Sequence, residues 1–437
     1  MSTPQSLRLV ACILVFAGLI LTSSMILSGC PGRNGQISRQ VELDALSLVN
    51  EGREIFRHDT FGSEAFWGET LRLHEALATL SPQDVLELGL KVDSEALPRN
   101  VAQAIRNGEL DLDDPANTLT LLRNDAVLGV KGFFDTKGDA LTSVGIQCAL
   151  CHSTVNDSLA SGIGVRLDGW ANRDLNVGEI IAAAPDLTAI ADLLGVTQSD
   201  VRTVVRSWGA GKFDAQLLLD GITERPGGGS AATLIPPAFG LAGVNEHTWT
   251  GSWGTVTYWN AFVANIEMGG QGTFYDPRLN NAEKYPIAAA AGFGDIRPKT
   301  DLVTAKLPAL HFYQLALLAP EPPNGSFEVA AAARGRELFA GKADCARCHV
   351  PPIFTEPGWN LHTPEEIGID DFQANRAPDE VYRTAPLKGL WSHTSGGFYH
   401  DGRFAALQDV IDHYDTHFDL DLSATEKADI EQYLLSL

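Results

Sequence analysis

Two short stretches of the chain place thiols and an imidazole at a spacing that can do chemistry. Cys148-Ala-Leu-Cys151-His152 and Cys345-Ala-Arg-Cys348-His349 both read Cys-x-x-Cys-His, the attachment site of a c-type haem. Thiols three positions apart can add to the two vinyl groups on one edge of the macrocycle, and the histidine that follows is held beneath the iron as its fifth ligand. A thioredoxin-type Cys-x-x-Cys needs no histidine. A zinc site built from two such knuckles wants them roughly 15–20 residues apart, far closer than here. A local disulfide suits an exported protein but leaves both histidines unexplained. Two covalently bound haems c, with proximal His152 and His349, are therefore expected.

The sixth ligand decides what each iron does. Phe404, Leu407, Ile411 and Tyr414 recur at helical spacing and form one stripe,, so Tyr414 points inward, as a distal ligand of the second haem or as a core tyrosine. His413 lies one residue round that helix and is the alternative ligand; His417 follows a turn later. For the first haem, the counterpart helix runs from about Thr257 to Met268. Apart from Met1 and Met25, Met268 is the only methionine, so at most one haem has methionine ligation. Glu267 shares a face with Trp259 and Val263. Burial there would raise its pKa, as a proton shuttle needs; a solvated glutamate at a helix end is the competing reading. Arg166 and Arg173 could pair with haem propionates or be ordinary surface arginines. His58 and His74 are further histidines with no ligand signal of their own.

The elements that must position these residues occur twice. Glu51-Gly-Arg53-Glu-Ile-Phe56 repeats as Gly335-Arg-Glu-Leu-Phe339, Pro236-Pro-Ala-Phe-Gly240-Leu as Ala385-Pro-Leu-Lys-Gly389-Leu, and Lys306–Leu317 as Lys427–Leu437. In the second copy the haem pentad follows the Gly-Arg-Glu helix within a few residues. In the first, a largely helical insertion at about 57–145 intervenes. Within it Ser81-Pro82-Gln-Asp84 opens a helix, Val101–Gly108 ends one at a glycine, and the segments flanking Thr136-Lys-Gly-Asp139 form a hairpin. Thr197-Gln-Ser-Asp200 caps another helix. The fold expected is mainly α: a first c-type haem domain over 45–318, a Pro-rich hinge at 319–330 and a second haem domain over 331–437.

At 437 residues the chain suits two or three domains,. Arg8, an apolar run and Leu27-Ser-Gly-Cys30 read as an export signal resembling a bacterial lipobox, with signal peptide 1–29, Cys30 as the lipidated residue and a flexible tether over 30–44. The six cysteines are then accounted for: Cys12 in the signal, Cys30, and four in the pentads. The compartment expected is a bacterial periplasm or cell surface, membrane-attached through lipid. The net charge of −23 disfavours a nucleic-acid partner, and suits steering of a cationic electron donor or acceptor, or simply solubility.

These residues resemble a known family. Phe398-Tyr-His400-Asp-Gly-Arg-Phe, followed by a helix reaching Tyr414 and preceded by Thr384-Ala-Pro-Leu-Lys-Gly-Leu390, is similar to the second-haem domain of the bacterial di-haem cytochrome c peroxidases. That superfamily includes the di-haem enzyme that matures methylamine dehydrogenase and, more distantly, the di-haem rubber oxygenases. Where the peroxidases place a methionine ligand fourteen residues after the His-Asp-Gly histidine, this chain has Tyr414, and the maturation branch has a tyrosine ligand. Trp253-Gly and Glu267-Met268-Gly269 resemble the family's Trp-Asp-Gly and Glu-Met-Gly elements. The resemblance implies proton transfer by Glu267 over the His152 iron, with Met268 a neighbour rather than a distal ligand. It is good over about 330–437, moderate over 235–320 and absent over about 57–145. It implies an oxidoreductase reducing peroxide or a related oxidant. The alternatives are a non-catalytic carrier with both irons six-coordinate, Met268 closing the first, and a rubber-oxygenase-like haem oxygenase. A soluble redox partner such as a small cytochrome or copper protein is expected; bound calcium is left open.

Overall fold

The computed structural model describes residues 31–437, with side chains from residue 37 onward. The signal, Cys12 and Cys30 lie outside the described residues. Helices dominate, joined by six two-stranded ribbons among the described residues.

The first element departs from expectation. Residues 31–44 are not a flexible tether but the start of helix α1, Pro31–His58. After Gly35 the stretch holds no proline and no glycine until Gly52, and nothing in between stops a helix. The C-terminal half of α1 is anchored: Ile55 and Phe56 are buried. Gly52 is the docking point, because a Cβ there would sit 1.9 Å from the Ala309 carbonyl oxygen. The partner is helix α2, Leu307–Ala316.

The second half repeats this construction. Helix α3, Val329–Ala340, packs on helix α5, Ala424–Leu435, and a Cβ at Gly335 would sit 1.9 Å from the Asp429 carbonyl oxygen. Phe56 meets Tyr313 at 5.5 Å between ring centroids, as Phe339 meets Tyr433 at 5.2 Å. The Gly-Leu turns close on the same helices. Gly240 N–H donates to the Leu317 carbonyl at 2.7 Å, and Gly389 N–H to the Leu437 carbonyl at 2.9 Å. Both glycines have positive φ, 67° and 76°, backbone that a residue with a Cβ rarely adopts. The internal repeat of the sequence is thus a repeat of close contacts.

Between α1 and the first pentad the insertion folds as short helices and one hairpin, β1 Val130–Phe134 with β2 Leu141–Ile146. Ser81 and Asp84 form the expected capping box, and so do Thr197 and Asp200. The core runs in a large cluster from Ile55 to Tyr313 and a separate one from Phe339 to Leu434. Among the described residues no helix is long and apolar enough to cross a membrane.

The two halves are stitched by polar contacts. Arg376 lies between Asp214 (3.0 Å) and Asp220 (2.7 Å), all three side chains at most 3% exposed. Gln216 donates to the Arg376 carbonyl, and Gln373 to the Gln216 side chain. Leu234 N–H donates to the His400 carbonyl at 2.7 Å.

Candidate haem centres

The first pentad forms a one-turn helix, Ala149–His152, directly after β2. It is held on three sides. Gly169 N–H donates to the His152 carbonyl, Asn172 N–H to that of Cys151, and Gln147 N–H to that of Gly129. Asp168 accepts from Ser153 at 2.7 Å, from Arg57 at the end of α1 at 2.5 Å and from Tyr313 on α2 at 2.5 Å. One carboxylate therefore fixes the pentad to both helices of the Gly52 contact.

Cys148, Cys151 and His152 line a cavity of about 440 Å³. Burial pushes both thiols up to about 12 and the imidazole down to about 4, so His152 is neutral, the state in which it can bind a metal. Its Nδ1 is buried and faces the Pro236 carbonyl without a well-aligned hydrogen bond.

Glu267 and Met268 line the same cavity, at the end of helix α2's neighbour Val256–Phe262 and its π-turn Val263–Glu267. Glu267 is half-buried rather than freely solvated. Its Oε1 is buried without a hydrogen-bond partner. Burial, with the nearby charge of Asp214, holds its carboxyl well above the ordinary range. Met268 is 4% exposed, and its carbonyl accepts the Trp67 indole N–H at 2.8 Å.

The cavity wall also contains residues that local pattern did not reveal. Phe61, Phe66 and Trp67 come from the insertion, Asp214 and Trp208 from the stretch after the pentad, and Gln373 and Arg383 from the second half. Asn265 Oδ1, Trp208 Nε1 and Gln373 Oε1 are buried there without partners. Two thiols, a neutral imidazole and a ring of unpaired polar atoms around an apolar wall fit a large, mostly apolar group with polar edges, as haem is.

At the second pentad, Asp344 has positive φ (50°) ahead of the turn Cys345–Arg347. His349 Nδ1 lies 3.2 Å from the Phe354 carbonyl oxygen. That contact fixes Nδ1 as the protonated nitrogen and leaves Nε2 for a metal. Phe339 stands 6.4 Å from the His349 ring, so α3 backs the imidazole. Burial lowers His349 and raises the Cys345 thiol to about 12.

Helix α4, Leu407–Phe418, carries Tyr414, His413 and His417; it precedes α5 and packs against it. Tyr414 is close enough to Cys345 and Cys348 to feel their charge, and burial raises its hydroxyl. The Tyr399 hydroxyl lies close by without a well-formed hydrogen bond. His413 Nε2 is 3.0 Å from the Ile367 carbonyl oxygen and His417 Nε2 is 3.2 Å from that of Glu366. Tyr414 thus lies within range of the thiols' charge, whereas both histidines are engaged by backbone carbonyls.

Neither arginine raised for the propionates is an ordinary surface residue. Arg166 is charge-paired with Asp93, 3.1 Å away, with side chains 3% and 9% exposed, although its Nε and Nη1 are buried without well-formed hydrogen bonds. Arg173 Nη1 is buried without a partner. His74 Nδ1 is buried and unpartnered, but neither His74 nor His58 lines the cavity.

No family model matches the chain. It is similar to the methylamine utilization protein MauG of Methylorubrum extorquens, 28% identical over 226 residues, which cover 45% of this chain and 59% of that protein. The chain thus matches somewhat over half the length of this curated relative. Two solved structures are also similar. One is a MauG-like protein associated with microbial copper homeostasis (20% identity, 49% of this chain and 76% of that one, TM-score 0.31). The other is hydrazine synthase of Kuenenia stuttgartiensis (17% identity, 49% and 76%, TM-score 0.28). Both scores are too low to bear on the fold.

Proposed function

We propose that the chain is a di-haem c-type cytochrome that reduces peroxide or a related oxidant at the His152 centre, with electrons supplied through the His349 centre. The observation that carries this is the placement of Glu267: a buried carboxyl without a partner, on the cavity that also holds Cys148, Cys151 and His152. When bound, haem supplies the iron redox chemistry. The chain's residues do the rest. Cys148, Cys151, Cys345 and Cys348 would attach the two groups, and His152 and His349 would ligate their irons. Glu267, protonated in its buried setting, would give its proton to the peroxide oxygen that departs as water and then recover one from the other peroxide oxygen, while the donor's two electrons and two protons from solvent complete the reduction to a second water. Phe61, Phe66 and Trp67 line the cavity beside Glu267 and would keep bulk water from it. Tyr414 would supply the further ligand of the second iron.

Met268 on the same wall favours a second reading, an electron carrier with the first iron closed by the thioether. One spectrum separates them. A high-spin ferric haem that reacts with peroxide supports the enzyme; two low-spin haems inert to peroxide overturn it. We further propose export to a bacterial periplasm or surface, a lipid anchor at Cys30, and a small cytochrome or copper protein as redox partner, steered by the charge of −23,.

A further inference from the structure

The inner arginines of this protein fall into two kinds. Arg166 is matched by Asp93, and Arg376 by Asp214 and Asp220. Arg173 and Arg383 make no ion pair with a carboxylate among the described residues. A guanidinium taken from water without a counter-charge costs several kcal/mol, on the order of the effective penalty for one buried ion. Consistent with that cost, burial depresses both to about 10; Arg173 has no compensating charge, and Arg383 only the more distant Glu246. Arginine stays protonated at neutral pH even so, so Arg173 lacks any counter-charge and Arg383 lacks one within ion-pair distance.

Both arginines reach across the boundary between the halves. Arg383 belongs to the second half, yet its Nε donates to the Thr248 carbonyl and its Nη1 to that of Glu246 at 3.0 Å, both in the first half. Arg383 also lines the cavity of Cys148, Cys151 and His152. Arg173 runs the other way. It belongs to the first half, twenty-one residues after His152, and a Cβ at Gly396 in the second half would come within 3.3 Å of its Nη1. The charge of Arg173 also acts on His393, whose Nε2 is buried without a partner like Arg173 Nη1. The His393 ring stands 4.6 Å from that of Phe398, which packs on the same core cluster of the second half as Cys345.

We propose that Arg173 and Arg383 form a reciprocal clamp, each half of the chain supplying the guanidinium that neutralises a carboxylate of the haem attached to the other half. The fork geometry of guanidinium suits a carboxylate, and haem would bring carboxylates to two guanidiniums that no carboxylate among the described residues ion-pairs. The clamp gives each haem an electrostatic contact with the opposite half, so the halves hold each other's cofactor. This inference rests on the haem reading above.

The test uses the full, haem-loaded protein. Haem is counted from the pigment retained after denaturation, and the two midpoint potentials are measured by redox titration. They are assigned with a Cys148→Ala/Cys151→Ala variant that keeps only the second haem. Removing a nearby positive charge favours the oxidised, more positive iron. Arg383→Ala should therefore lower the potential of the first haem and leave the second unmoved. Arg173→Ala should do the opposite, and Arg383→Lys and Arg173→Lys should restore most of each shift. Two retained haems with unmoved potentials, or a shift confined to the haem of the substituted residue's own half, would overturn the clamp while sparing the haem reading. A parent protein that releases its pigment on denaturation would overturn both.

Discussion

The Trp67 indole donates to the Met268 carbonyl at 2.8 Å, so a residue of the insertion fixes the backbone beside Glu267. The segment with no counterpart in the second half is therefore part of the wall around the first centre, and it bears on whether Met268 or Glu267 faces the iron.

Glu267→Gln keeps the shape of the side chain and removes its proton. Peroxide turnover should fall by roughly 10²–10⁴-fold, the usual worth of a positioned acid–base group, with two haems retained. Steady-state kinetics with parallel haem quantification checks this, and undiminished turnover removes Glu267 from the mechanism.

The same substitution has a stability signature with a definite sign. The carboxyl is held protonated in the folded chain while the unfolded chain ionises above the ordinary glutamate range,. Its burial therefore costs stability as pH rises from that range towards neutrality. Glu267→Gln should raise the unfolding temperature at neutral pH and leave it nearly unchanged at pH 4. Thermal unfolding at the two pH values reads the difference.

Tyr414→Phe should change the absorption and spin state of one haem only, because Tyr414 lies by Cys345 and Cys348. His413→Gln should leave both spectra alone, since its Nε2 is engaged with the Ile367 carbonyl. An unchanged spectrum in the first variant removes the tyrosine as ligand.

His362 has a carboxylate on each ring nitrogen: Glu356 at 2.6 Å and Glu366 at 3.1 Å. Although burial alone would lower it, these partners together raise its pKa. The contribution is fully present below the unfolded value near 6.5 and is lost as pH rises through the higher folded value. His362→Gln should flatten the pH dependence of unfolding in that window, and a wild-type-like slope would discount the pair.

Arg376→Leu strands two carboxylates of the first half in a dry site. Breaking a buried pair from one side costs about 3–5 kcal/mol, and chemical denaturation should show a loss of that order. Gly335→Ala and Gly52→Ala should each cost about 1–3 kcal/mol or more by overpacking, since each added methyl meets a helix backbone.

The sequence by itself determined what was written locally. The two pentads, the capping boxes at Ser81 and Thr197, and the hairpin around Lys137 all rest on neighbours within a few residues, and so does the Tyr414 stripe. The paired Gly-Arg-Glu segments were legible as a repeat, though not as the helix contacts that explain why glycine stands there. Tertiary structure alone decided the rest. The helix over residues 31–44 was missed because no short-range signal distinguishes a polar tether from the exposed start of a docked helix. Glu267, Trp67, Asp214, Gln373 and Arg383 share one cavity although up to about three hundred residues separate them. Burial, and with it the raised carboxyl and the two unmatched guanidiniums, depends on what distant segments pack nearby, and no local spacing records that.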